Sequence, residues 1–215
     1  MKTKKLVTTS MLIAIAAILS LIIIFALPFG GSITAASMVP IVLIGYLYGV
    51  RWGVFGAFAY SLIQMLVGMG TISAFFLPGD SQMSIPAAVT ICFIDYIAAY
   101  SCLGLAGIFG KKFKNKTWAI ICGSIMVCII RYLFHTISGA IFFGTWAEWF
   151  FADSTGLSQI TVLKGFCDWV MNNFSGHGLS VVYSLIYNGS YMIPETVITV
   201  IVTPILYKAL NKVVE

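Results

Sequence analysis

Charge is scarce in this chain. Only 9% of its 215 residues are Asp, Glu, Lys or Arg, against about 25% in a soluble domain. So few polar groups could not cover a water-facing surface. The mean hydropathy is +1.01 and 60% of the residues are hydrophobic. These values exclude a soluble enzyme or binding domain and require an integral membrane protein. The +5 net charge does not point to nucleic acid, because the basic residues lie in the loops and tails between apolar runs.

Motifs for chemistry are also missing. No Ser/His/Asp triad and no H-E-x-x-H occurs, so no enzymatic activity is expected. The stretch GLAGIFGKK (104–112) lacks the P-loop spacing and the following Ser or Thr. Any ATP must therefore be hydrolysed by another chain, and no cofactor is expected on this one. The five cysteines form no C-x-x-C pair, and four of them fall within apolar spans, where cysteine acts as a small hydrophobe. Neither a disulfide nor a metal site is expected, since His135 and His177 have no metal-like spacing.

What the chain does have is long apolar runs. A bilayer-crossing helix needs about 20 apolar residues, and six spans are read at 6–27, 36–50, 53–69, 86–109, 117–144 and 177–207. This is an all-α membrane fold, expected as one domain over 1–215. The run Leu6–Leu27 is too long for a signal peptide's apolar region and is read as a retained helix. With six spans, Lys2, Lys4, Lys5, Arg51, Lys111, Lys112, Lys114, Lys116, Lys208 and Lys212 share one side. Lys164 stands opposite, with Asp80, Glu148, Asp153 and Asp168. The positive-inside bias puts both termini in the cytoplasm and turns loops 28–35, 70–85 and 145–176 outward.

Four polar residues stand within the spans: Asp95, Arg131, His135 and Glu195. Such residues are costly in the membrane and commonly face a bundle interior. At a rise of 1.5 Å per residue, Asp95 and His135 lie ~14 Å below the outer ends of their spans and Asn188 lies ~15 Å below its own. One shared pocket is therefore expected. Arg131, one turn deeper than His135, is read as a partner of Asp95 or Glu195. Tyr96, Phe142, Phe143, Trp146, Tyr183 and Tyr187 cluster at or above this level. They suit a stacking box for a flat ligand, with Asp95 attracting a positive charge. Trp149, Phe150 and Phe151 suit an interfacial belt.

Five stretches carry a resemblance: GGS (30–32), MVPI (38–41), FIDYIAAYSCLGLAG (93–107), RYLFHTISGAIFFGTW (131–146) and YSLIYNGSYMIP (183–194). Together they resemble the thiamine-specific S component of energy-coupling factor transporters. The resemblance implies six helices and an outward pocket that binds thiamine. It also implies a transmembrane scaffold subunit and two ATPase subunits as partners in the bacterial plasma membrane. It places the binding residues at Asp95, Tyr96, His135, Phe143, Tyr183 and Asn188. Some members carry Glu at the position of Asp95 and Trp at that of Phe143. His135 and Asn188 are expected to bond the pyrimidine edge. Ser10 and Ala14 give a small-x-x-x-small pattern on the first span, which the resemblance assigns to scaffold docking. Another reading of the same residues is a stand-alone proton-coupled transporter with Asp95 and His135 as its relay. It should carry inverted repeats, and the two halves of the sequence have none.

Overall fold

The computed structural model describes residues 2–27, 30–110, 112–152 and 156–214. Lys111 and Asp153, both used in the charge argument, lie outside these residues, as do the side chains of Lys2 and Lys212. Five described helices are long and apolar enough to cross a membrane: Thr3–Leu21, Val50–Val67, Ile85–Phe109, Lys116–Phe142 and Gly176–Leu210. A sixth, Met38–Tyr48, is shorter.

The first helix, α1 (Lys2–Leu21), stops six residues before the expected end. Three consecutive isoleucines, Ile22 to Ile24, follow it, and β-branched side chains suit extended backbone. The chain forms an antiparallel hairpin of β1 (Ile23–Ala26) and β2 (Ser32–Thr34). α2 (Met38–Tyr48) has 11 residues and is only ~16 Å long, too short for a ~30 Å hydrocarbon core. It is buried from Met38 to Gly45, enclosed by its neighbours.

α3 (Val50–Val67) leads into a short helix α4 (Met69–Phe76). The next span is not one regular helix. It runs through α5 (Ile85–Ile91), a π-helical stretch Cys92–Ala98, α6 (Ala99–Ser101) and a 3₁₀ stretch Cys102–Phe109. α7 (Lys116–Phe142) is regular and starts from Asn115, whose side chain accepts from the Thr117 and Trp118 amides. Loop 145–176 holds α8 (Ala147–Phe151) and α9 (Lys164–Asn173). α10 (Gly176–Val214) has 39 residues, roughly 58 Å, and extends past its expected end at 207.

Glycines set the closest helix crossings. A Cβ at Gly104 would overlap the Gly53 carbonyl and the Val54 nitrogen, and one at Gly107 would overlap the Gly45 carbonyl. The glycines let α2 and α3 lie directly on the 3₁₀ stretch, as small residues do at membrane helix contacts. Gly104→Ala must push backbone apart, an overpacking cost of about 1–3 kcal/mol. Its expected outcome is a lower melting temperature in detergent, whereas Gly70→Ala, which meets nothing within 4 Å, should melt like the wild type.

Candidate functional site

One cavity gathers residues from six parts of the chain. Gly30, Gly31 and Ser32 come from the hairpin, Thr71 and Phe75 from α4, and Ile91 from α5. Asp95, Tyr96 and Tyr100 come from the irregular span, Arg131, His135, Gly139 and Phe143 from α7 and its end, and Tyr183, Tyr187, Asn188 and Tyr191 from α10. Of the residues read from the sequence, Asp95, Tyr96, His135, Phe143, Tyr183 and Asn188 meet on this wall. Trp146 does not; its ring lies 6.3 Å from Trp149. Phe150 and Phe151 are buried and do not form a belt. Phe150 packs edge-on against Tyr183 at 5.2 Å, behind the cavity wall.

The π-helical stretch positions Asp95 and Tyr96. A π turn adds a residue relative to α geometry and commonly occurs where a side chain must be re-aimed. Asp95 then has two protein donors. His135 Nδ1 lies 2.9 Å from one carboxylate oxygen, and Ser138 Oγ donates to the other at 2.7 Å.

Arg131 decides the state of His135. Its Nε donates to His135 Nε2 at 3.3 Å. Arginine has no acceptor, so Nε2 must be the bare nitrogen and Nδ1 carries the proton given to Asp95. His135 is thus neutral, held from below by Arg131. The Arg131 guanidinium also lies over the Tyr100 ring at 4.3 Å, a cation–π arrangement. Among the described residues Arg131 makes no direct ion pair with Asp95 or Glu195; it stands behind Asp95 and reaches it through His135. A histidine four residues along the same helix face is nearer than either carboxylate.

Asn188 is tied into the bundle. Its amide nitrogen donates to the His135 carbonyl at 3.2 Å and to the Ser184 carbonyl at 2.9 Å. Its oxygen accepts from Tyr191 at 2.7 Å. A Cβ at Gly139 would overlap Ser184 Oγ, so that glycine lets α10 come close enough for these bonds. α10 also pins the hairpin. Tyr187 accepts from the Gly31 amide at 3.1 Å, and Glu195 accepts from the Thr34 amide and hydroxyl.

Seven aromatic rings line the cavity: Phe75, Tyr96, Tyr100, Phe143, Tyr183, Tyr187 and Tyr191. Tyr100 and Tyr191 were not singled out from the sequence. Their signal was present as spacing, since Tyr96 and Tyr100, and Tyr187 and Tyr191, are each four apart and share a helix face. Among the described residues no group of three or more His, Cys, Asp or Glu could hold a metal.

A model of the thiamine transporter protein family (Thia_YuaJ) matches residues 6–149. The chain belongs to this family. The matched segment includes Asp95, Tyr96, Arg131, His135, Ser138 and Phe143 and ends before α10. The chain is 27% identical over 214 residues to the thiamine transporter ThiT of Bacillus subtilis, covering 94% of this chain and 90% of that protein. It has the fold of ThiT from Listeria monocytogenes, with a TM-score of 0.67, 20% identity, and coverage of 99% and 98% of the two chains. An S component of a bacterial ECF transporter is more distant, with a TM-score of 0.47 and 22% identity over 99% of this chain and 95% of that one. Membership makes this a multi-pass transport protein of the bacterial plasma membrane rather than an enzyme.

Proposed function

We propose that this chain captures thiamine from outside the cell and delivers it as the substrate-binding subunit of an ATP-driven energy-coupling factor system. The carrying observation is charge. Among the described residues that line the cavity, Asp95 is the one carboxylate, its side chain 17% exposed, and Arg131 makes no direct ion pair with it. Its negative charge faces the cavity with only the neutral donors His135 and Ser138 on its oxygens. A buried charge without a counter-charge is costly, and a ligand with one fixed positive charge removes that cost. Thiamine has such a charge on its thiazolium, and its two flat rings suit an aromatic wall. Asp95 keeps lone pairs beyond the two that its protein donors occupy, so it can face the ligand while held in place.

His135 and Asn188 act in this reading chiefly by holding the wall, because their polar atoms already have protein partners. Both termini are cytoplasmic. Ser10 and Ala14 face outward from α1 and offer a narrow surface for the scaffold subunit, which would carry the two ATPases. The purified chain alone should bind thiamine without ATP, as measured by calorimetry in detergent or nanodiscs. Absence of heat at micromolar thiamine, together with no competition against labelled thiamine, removes the proposal. Uptake that survives loss of the ATPases but stops with an uncoupler would support proton coupling through Asp95 and His135 instead.

A further inference from the structure

The apolar face of α9 is only half covered by protein. At 100° per residue, Cys167 and Val170 point to one side and are fully buried in the core cluster that also holds Phe150 and Tyr183. Phe166 and Trp169 continue the same apolar arc but are exposed, Trp169 at 53%. Their rings stack at 6.2 Å. Lys164, Asp168 and Asn172 take the polar side at i, i+4 and i+8, while Asn173, at the last position, falls between Phe166 and Trp169 and turns its amide back to the Trp169 carbonyl. The turn before the helix adds Ile160 and Val162, the latter 90% exposed.

Position decides what covers this surface. Only Phe174 and Ser175 separate α9 from α10, at most about 11 Å from the last residue of one helix to the first of the other. α10 is a membrane-crossing helix, so α9 cannot leave the level of its outer end. The Trp169 ring meets Phe174 edge-on at 5.7 Å, and Phe174 lies beside Gly178, on the side of α10 that carries the exposed Val181 and Leu185 one and two turns further on. The apolar surface of α9 therefore runs on into the exposed apolar side of a helix long and apolar enough to cross the membrane.

We propose that α9 lies flat in the outer interface of the bilayer, anchored by Ile160, Val162, Phe166 and Trp169. An amphipathic helix of this kind inserts its apolar side into the boundary between headgroups and acyl chains, and tryptophan favours that depth. The adjoining flank of the same arc, Cys167 and Val170, then packs into the core cluster beside Phe150 and Tyr183. The bilayer surface thereby braces one wall of the cavity. This inference does not depend on which ligand the cavity takes.

The test uses the full chain in nanodiscs and the emission difference between wild type and Trp169→Phe, which isolates Trp169 from the other tryptophans. Lipids brominated near the headgroup should reduce the Trp169 emission by roughly half or more, as expected for a ring at interfacial depth. Aqueous iodide should have little effect. Val162→Trp in the Trp169→Phe background provides a second position at an open surface and should give the same pattern. Quenching by iodide and not by bromolipid at both positions would place α9 in water and overturn the proposal. Protection from both quenchers, with cross-links between chains, would mean that a second copy covers the face, and would overturn it equally.

Discussion

Asp95→Asn is expected to weaken thiamine binding at least tenfold. The substitution keeps the shape of the side chain and can retain one of the bonds from His135 and Ser138. It removes the negative charge that meets the fixed charge of the ligand. Truncating one partner of a buried charged pair costs about 2–5 kcal/mol, and each 1.4 kcal/mol is a factor of about ten in affinity. The one retained bond puts the expected loss at the lower end of that range. Calorimetry on the wild type and the variant measures it. A neutral isostere of the thiazolium should lose far less than thiamine. Equal losses for the two ligands would show that Asp95 only shapes the wall.

Glu195→Ala should release the hairpin. Thr34 is buried, and both its amide and its hydroxyl donate to Glu195. Hydrogen bonds to charged groups contribute about 1.5–3 kcal/mol each, so the variant should lose roughly 3 kcal/mol or more of hairpin docking. Amide exchange at Thr34 should rise steeply. Thiamine should also leave faster, because Gly30, Gly31 and Ser32 form part of the cavity. Glu195→Gln gives the opposite result. It keeps an oxygen for Thr34 and places an NH₂ where the second carboxylate oxygen has no hydrogen-bond partner. Exchange in the Gln variant should stay near the wild-type rate. If the Ala variant exchanges Thr34 as slowly as the wild type, the hairpin is held by Tyr187 and packing, and Glu195 has another role.

Much of the site was readable before the fold. Polar residues in apolar spans stand out because the membrane makes them costly, and rise per residue converts their positions into depth. That arithmetic put Asp95, His135 and Asn188 at one level, and in the structure Asn188 bonds the His135 carbonyl while His135 bonds Asp95. The same reasoning failed for Trp146, Phe150 and Phe151. Their nearness to the outer end of α7 says nothing of direction, and α8 turns Phe150 and Phe151 inward.

Composition and the spacing of apolar runs determined the membrane setting, the candidate spans and the stretches that carry the family resemblance. These are local properties, because each span must satisfy its backbone within itself and show apolar side chains to lipid. Contacts between distant segments were decided only by the tertiary structure. The π-helical stretch that aims Asp95, the choice of His135 over a carboxylate by Arg131, and the hairpin held by Glu195 across 161 positions of sequence all belong to this class. Each depends on which neighbour comes within hydrogen-bonding distance once the helices pack, and that distance is fixed by glycines and aromatic rings acting together across the bundle.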